Sequence, residues 1–324
     1  MKLAVVVVSY NAVGLLMDCL RSVFEQTCAY PFSVWVVDNA SKDGSADRVA
    51  QMYPQVSLIR NPDNKGFAAA NNQAFQKCDA DYVVLLNPDA VLDPDALARM
   101  VAFMDKTPSC AIAGGFLRNP GGGRDPCARR FIGPWRKLLM MSGVSARLSK
   151  HRWFNDVDYG WFAHDRPLSV DWVPGTFTCY RRAVLDKVGT FDERFFLYYE
   201  ETDLCLRVRR AGWEIFFIPD AVVMHVGGGC SRTRKDEPFD RSGAQVLSFR
   251  LKAECLYYRK NFGLLMLCAA MWEEWLWHQA RRVANLRPGA ERAAKRAQSA
   301  QIAELLLRAL KDTSYGRVCP PKPW

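Results

Sequence analysis

LAVVVVSYN (residues 3–11), VWVVDNASKDGS (34–45) and YVVLLNPDA (82–90) share one plan: an aliphatic run that stops abruptly at a polar cluster. Short apolar runs without alternation mark strands buried on both faces. Leu3–Val8, Val34–Val37, Val56–Ile59, Tyr82–Leu86 and Cys110–Ala113 read as five such strands. Helical patterns lie between them, at Leu15–Phe24, from Ser45 as a cap to Tyr53, and from Ala68 to Gln76. Asp93-Pro94 then offers a cap and a first-turn proline for another helix. Strands alternating with helices predict an α/β domain, a parallel sheet covered on both faces.

In such sheets, ligands bind beyond the carboxyl ends of the strands. Ser9-Tyr10-Asn11, Asp38-Asn39-Ala40-Ser41 and Asn87-Pro88-Asp89 all fall there. Each cluster alone can be read as turn residues, but three on one edge point to a site. After Gly114 the pattern gives way to Gly121-Gly122-Gly123 and a basic stretch, read as a mobile loop and an amphipathic helix. Order returns at Val170-Asp171-Trp172-Val173. A helix is expected from Glu200 to Ala211, ended by Gly212, and a strand from Trp213 to Ile218. Past a loop at Gly227-Gly228-Gly229, residues from Ser242 to Lys311 read as mainly helical, and no internal repeat is visible.

Composition narrows the function classes. The chain has 324 residues, 49% hydrophobic and 24% charged, which suits a globular protein of one large or two smaller domains. The N-terminal apolar run passes straight into Ser9-Tyr10-Asn11, so it reads as a first strand and not as a targeting segment. No apolar run nears the roughly 20 residues a membrane span needs; Leu264–Met271 stops at Glu273-Glu274. Eleven cysteines, an odd number without a C-x-x-C pair, argue against a disulfide framework or zinc cluster and fit a cytoplasmic location.

The net charge of +10 is uneven. No acid lies between Asp125 and Asp156, whereas Arg129, Arg130, Arg136, Lys137, Arg147, Lys150 and Arg152 are basic. Arg281, Arg282, Arg287, Arg292, Lys295 and Arg296 repeat the bias. Such patches suit phosphate-rich partners or an anionic membrane face. The plainer reading is a solvated basic surface.

The turn after the first strand carries no G-x-G-x-x-G, and no P-loop is present. Nucleotide recognition must then rest on side chains. Asp38 can accept a hydrogen bond from an imide N–H such as that of uracil or thymine. Asp89 can ligate a divalent cation bridging a diphosphate, since hard oxygen ligands suit Mg2+ or Mn2+.

The segments VVVVSYN (5–11), VVDNASKDGS (36–45), NKGFAAANN (64–72), YVVLLNPDA (82–90), FDERFFLYYEETDLCLRVRRAGW (191–213) and PDAVVMHVGG (219–228) resemble the family 2 glycosyltransferases. The resemblance covers residues 1–230 and is strongest toward the bacterial rhamnosyltransferases of cell-envelope glycans. It implies a GT-A fold: a Rossmann-like, mostly parallel sheet flanked by helices. Residues 1–115 would bind the nucleotide sugar and 165–230 would carry acceptor and catalytic groups. A helical C-terminal extension would occupy 231–324.

The resemblance also implies roles. Ser9, Tyr10, Asn11, Asp38 and Asn39 would hold base and ribose. Asn64, Lys65, Gly66 and Asn71 would line the nucleoside side of the pocket. Asn87-Pro88-Asp89 stands at the family's D-x-D motif, with Asp89 a metal ligand and His225 a second. Asn87 replaces the first acid, removing one negative charge near the metal. A histidine at a strand end is also commonly structural. Val173-Pro174-Gly175-Thr176 would lie on the acceptor side, with Trp172 stacking on a sugar or simply filling core.

Glu200-Glu201-Thr202-Asp203 would supply the catalytic base. Glu200, Asp203, Arg207 and Arg210 share one helical stripe, where acid–arginine pairs can form. Glu201 shares a stripe with Leu204, Cys205 and Val208, which predicts a more buried carboxyl with a raised pKa. Glu201 is therefore the first candidate, ahead of Glu200 and Asp203. Acids dressing a helix N-terminus are the alternative.

The implied reaction is inverting transfer of a sugar, with dTDP-rhamnose the expected donor among dTDP- and UDP-sugars. The acceptor would be lipid-linked or a polysaccharide. Trp135, Leu138, Leu139, Met140 and Met141 interleave with Arg136 and Lys137, and Leu264–Trp277 leads into Arg281-Arg282. Both stretches suit interfacial helices on the inner face of the cytoplasmic membrane, or else packing surfaces. A sugar nucleotidyltransferase is a rival reading, but its glycine- and basic-rich first loop is missing. A nucleic-acid-binding protein would leave Asp38, Asp89 and Glu201 unexplained, so nucleic acid is not the expected partner.

Overall fold

A computed structural model describes residues 2–27, 30–154, 157–226 and 239–319, with side chains in the last segment from residue 245 onward. The loop expected at Gly227-Gly228-Gly229 lies outside the described residues. The N-terminal elements are β1 (Leu3–Ser9), α1 (Val13–Phe24), β2 (Phe32–Asp38), α2 (Ser45–Met52), β3 (Ser57–Arg60), α3 (Phe67–Lys77) and β4 (Tyr82–Leu86). Each lies within two residues of its expected bounds, because unbroken aliphatic runs bury on both faces. Leu3, Ala4, Val5 and Val7 are wholly buried.

Beyond β4 come β5 (Ala90–Leu92), α4 (Ala96–Lys106) and β6 (Cys110–Arg118). Helix α4 starts later than the Asp93-Pro94 signal predicts. Asp95, at φ 62°, precedes it, and the Asp93 carboxylate instead pairs with Arg118 at 2.6 Å. Likewise Gly44, not Ser45, stands at the cap of α2, in the left-handed region.

The chain continues through α5 (Pro134–Met141), α6 (Val144–Arg147), β7 (Leu168–Ser169), β8 (Phe177–Arg181), α7 (Arg182–Val188), α8 (Glu200–Arg210) and β9 (Glu214–His225). The sheet order is β3-β2-β1-β4-β8-β6-β9-β5, with β7 also on β9. The run β3-β2-β1-β4 is parallel, as is β6 with β9. Strand β8 wedges in antiparallel to β4 and β6, and β5 and β7 lie antiparallel to β9. The sheet is thus α/β with antiparallel insertions in its second half.

Two registers bring polar residues together at the sheet edge. Ser9 sits opposite Asp38, and Ala90 opposite His225. Because β8 runs antiparallel to β4, the loop before β8 reaches the same edge as the end of β4, and the Asn87 N–H donates to the Thr176 carbonyl at 2.9 Å. At that edge Gly115 leaves room for neighbours: a Cβ there would come within 2.4 Å of the Phe177 ring.

The described residues of 1–130, 163–196 and 200–237 form one compact unit, and those of 131–162, 197–199 and 238–324 a second. The second unit holds α5, α6, the long α9 (Phe239–Ala284), kinked at Gly263 with φ 85°, and α10 (Ala290–Asp312). Its interior contains an ion cluster. The Lys137 ammonium meets Glu254 at 2.7 Å and Glu274 at 2.6 Å, and Arg250 closes on the same two carboxylates at 3.3 and 3.5 Å. Lys137 is 6% exposed, so it is not the membrane-facing cation expected from its basic neighbourhood. Two acids more than a hundred residues away neutralise it. Burial depresses the lysine's charge, but the two glutamates outweigh this and hold its pKa above the ordinary value.

Segment Leu264–Trp277 divides by face. Leu267, Ala270 and Met271 are buried, whereas Leu265, Trp272 and Leu276 are exposed. Among the described residues no helix is long and apolar enough to cross a membrane. The described cysteines are free thiols, all but Cys268 and Cys319 buried.

Candidate functional site

At the β1–β2 edge, Ser9 and Asp38 are both buried. Asp38 Oδ2 accepts the Ser41 N–H at 3.1 Å. Asp38 Oδ1 and Ser9 Oγ find no hydrogen-bond partner among the described residues. Leaving a buried polar atom unsatisfied costs about 1–3 kcal/mol, so the pair has the character of a prepared ligand contact. Asn11, at φ 50°, accepts the Lys42 N–H at 2.7 Å and ties the two loops together. Tyr10 is half-buried beside it.

The asparagines of this region are occupied by one another. Asn39 Nδ2 donates to Asn64 Oδ1 at 2.8 Å and to the Gly66 carbonyl at 3.3 Å. Asn39 Oδ1 accepts from Asn61 and from the Lys65 N–H. Asn71 Nδ2 donates to Phe67 O at 2.9 Å within its own helix. The Lys65 ammonium pairs with Asp63. Gly66 has φ 86°, and a Cβ there would strike the Phe196 carbonyl at 2.6 Å. Asn39, Asn64 and Asn71 thus brace the 61–72 segment, leaving Ser9 and Asp38 with the open hydrogen-bonding atoms. Asn61, outside every quoted motif, and Asn72, at the end of NKGFAAANN but given no role by it, complete the bracing. Asn72 bonds the Phe191 backbone in both directions, at 2.9 and 3.1 Å.

The end of β4 makes the second cluster. Asp89 is 4% exposed and lies 3.6 Å from His225 Nε2, the two brought together by the β5–β9 register. Asn87 is half-buried in the same turn. His225 Nδ1 lies 3.1 Å from Asp125, a residue to which no motif assigns a role. Its only sequence signal is its place as the last acid before a long basic run. Among the described residues no group of three His, Cys, Asp or Glu makes a protein-only metal cage. The Asp89 carboxylate suits Mg2+ or Mn2+, which take remaining ligands from phosphate and water, and an imidazole nitrogen beside it favours Mn2+ of the two.

The third cluster opens α8. Glu200 is 3% exposed and Asp203 is fully buried, while Glu201 keeps some exposed surface. The expected burial order is therefore reversed. A helical stripe predicts burial only where one face meets solvent, and the first turns of α8 are enclosed. Asp203 pairs with Arg207 at 3.0 Å, as the spacing predicts. Arg207 also donates to the Val188 and Thr190 carbonyls at 2.7 and 2.6 Å, so this pair locks α8 to the end of α7.

Glu200 and Glu201 are left as an acidic couple. Burial, and then the neighbouring Glu201 charge, push the Glu200 carboxyl well above the usual glutamate range. Burial raises Glu201 as well, but its helix N-terminus, the Gly175 N–H, Arg129 and a hydrogen bond from Glu200 all favour its charged form. Of the two, Glu200 is pushed further toward its protonated form. Gly175 and Thr176 are buried beside this couple. Trp172 is half-buried, donates its ring N–H to Arg130 O at 3.0 Å, and carries the Arg129 guanidinium 5.0 Å from its ring centre. Arg129 covers a ring face and also acts on Glu201, a second contribution that the sequence does not signal.

Comparisons with known proteins place the chain in a family. The glycosyl transferase family 2 model matches residues 4–189. An N-acetylglucosaminyl-diphospho-decaprenol L-rhamnosyltransferase of Mycobacterium tuberculosis is 30% identical over 238 residues, covering 69% of this chain and 75% of that protein. An O-antigen chain rhamnosyltransferase of Salmonella typhimurium is 26% identical, covering 74% and 71%. Among solved structures, a mannosyltransferase of Pyrobaculum calidifontis in complex with GDP-Man and Mn2+ superposes with a TM-score of 0.57 at 17% identity, covering 97% of this chain and 87% of that one. That likeness supports the GT-A fold. The chain belongs to glycosyl transferase family 2 and is a glycosyltransferase.

Proposed function

We propose that the protein transfers a sugar, with inversion, from a nucleoside diphosphate to a hydroxyl of a lipid-linked or polysaccharide acceptor in cell-envelope synthesis. The carrying observation is that Asp38, Asp89 with His225, and the Glu200–Glu201 couple all stand at one sheet edge. Asp38 and Ser9 take the base side of the donor. Asp89 and His225 hold a divalent ion, which supplies Lewis-acid neutralisation of the leaving diphosphate when bound. Glu201 takes the acceptor proton, and Trp172, Gly175 and Thr176 border the acceptor.

The names of the two bacterial relatives favour a rhamnosyl donor, with dTDP-rhamnose first among candidates. Incubation with a panel of dTDP-, UDP- and GDP-sugars and Mn2+ should release nucleoside diphosphate, fastest from dTDP-rhamnose. Release from none of them overturns the donor assignment.

A lipid-linked acceptor needs the enzyme at the cytoplasmic face of the membrane. Leu265, Trp272 and Leu276 are exposed on α9 ahead of Arg281 and Arg282, and Trp135 and Met140 are exposed on α5, where Lys137 is buried and offers no contact. Each cation near an anionic surface contributes about 1 kcal/mol, screened beyond a Debye length of about 10 Å at 0.1 M salt. Sedimentation with vesicles should show binding that requires anionic lipid, weakens with salt, and falls when Arg281, Arg282 and Arg287 become Gln. Protein remaining in the supernatant with anionic vesicles at low salt rules this surface out.

A further inference from the structure

The segment after β6 reads in sequence as a mobile glycine loop, yet it is closely bonded. Asn119 N–H donates to Gly123 O at 2.8 Å, Gly122 N–H to Asn119 O at 2.9 Å, and Gly123 N–H to Asn119 Oδ1 at 2.9 Å. Gly122 takes φ 78°, as the reversal requires. The returning strand is fixed by Asp125 N–H on Leu117 O at 2.9 Å. Since β6 pairs with β9 through Arg118 opposite Met224, this reversal delivers Asp125 next to His225. The Asp125 side chain is held from both sides: Asn119 Nδ2 approaches Oδ1 at 3.4 Å, and His225 Nδ1 lies 3.1 Å from Oδ2.

We infer that Asp125 is a positioning residue. It keeps the His225 proton on Nδ1, so that the lone pair of Nε2 faces the Asp89 carboxylate 3.6 Å away. A neutral imidazole has one donor and one acceptor nitrogen, and the hydrogen bond made by one decides what the other can do. Both carboxylates beside the ring accept only. Asp125 is within hydrogen-bond reach at 3.1 Å while Asp89 stands off at 3.6 Å, so Asp125 takes the Nδ1–H and leaves Nε2 for an ion held with Asp89. Histidines that bind metals are commonly oriented by such an outer carboxylate. The glycine turn and Asn119 then serve to place one carboxylate. The inference rests on the proposed metal role of Asp89 and His225.

The test uses the full-length protein labelled with 15N at histidine alone. Its four histidines give a readable spectrum, and His225→Gln assigns the signal. With Mg2+ and a nucleoside diphosphate present, His225 should show a protonated Nδ1 and an Nε2 that carries no proton. In Asp125→Asn the amide oxygen stays with Asn119 and the NH2 turns to His225, so the proton should move to Nε2. Asp125→Glu should restore the original tautomer. Mn2+ affinity, read by electron paramagnetic resonance with a nucleoside diphosphate present, should fall about 10- to 100-fold in Asp125→Asn and recover in Asp125→Glu.

An unchanged tautomer in Asp125→Asn overturns the inference, as does a doubly protonated ring in the unmodified protein with Mg2+ and the nucleoside diphosphate present. Mn2+ binding weakened by His225→Gln but not by Asp125→Asn overturns it while leaving the metal reading intact. Mn2+ binding indifferent to both Asp89→Ala and His225→Gln overturns the metal reading itself, and the inference with it.

Discussion

Glu201→Gln should cut turnover by at least ~10²-fold, the lower end for lost general-base catalysis, with donor affinity by calorimetry almost unchanged. Helical stripes do not decide the assignment, because Glu200 and Asp203 are the more deeply buried acids. Occupation decides it. Asp203 is consumed by Arg207, and Glu200 is the carboxyl pushed furthest toward its protonated form. Glu201 alone combines several groups that favour its charged form, partial exposure and a hydrogen bond from the Gly175 N–H in the loop before β8. Glu200→Gln retains a neutral hydrogen-bond donor, so its effect should be smaller. Greater damage from Glu200→Gln or Asp203→Asn would reassign the base.

The couple also sets a pH dependence. Burial raises both carboxyls, so the acid limb of the turnover profile should lie above the usual glutamate value of about 4.3 and vanish in Glu201→Gln. For stability, the folded state binds more protons than the unfolded chain above that value. The couple's contribution is therefore fully present below about pH 4.3 and lost as pH rises through the folded pKa values. Thermal melts across pH 5 to 8 should show a shallower decline for Glu200→Gln than for the unmodified protein. An equal slope would mean that Glu200 ionises normally.

The second large effect is expected at Asp89. Asp89→Ala should abolish transfer, and EDTA should do the same to the unmodified enzyme, with Mn2+ or Mg2+ restoring it. A buried carboxylate facing an imidazole at a strand end would hold an ion through one charge, since Asn87 supplies none. With so few protein ligands, ion affinity should depend on the diphosphate, and Mn2+ should bind more tightly when the nucleotide is present. Full activity in EDTA would end the metal role and leave Asp89 paired with His225 as a structural contact.

The first four strands and their polar ends are legible because doubly buried strands leave an unbroken aliphatic signature, and the polar residue after each has nowhere to go but the sheet edge. Strands β5, β7 and β8 are not legible. Two are only two or three residues long, and Phe177–Arg181 alternates no more clearly than a loop. The motifs carry Asp89, His225 and Glu201, but not their supports. Asp125 and Arg129 reach the site through a turn and a bridge to Trp172, contacts set by register and not by local spacing. Lys137 shows the opposite failure. A run of basic residues suggests an exposed cationic face, whereas Glu254 and Glu274 approach it only in the folded chain.

A single displacement at the anomeric carbon, with one carboxylate as base and no covalent sugar–enzyme intermediate, inverts the configuration of the sugar. The anomeric configuration of the first sugar released in the donor assay tests it most directly. Proton NMR taken before mutarotation should show the configuration opposite to that of the donor. A first product with the donor's own configuration would contradict the account.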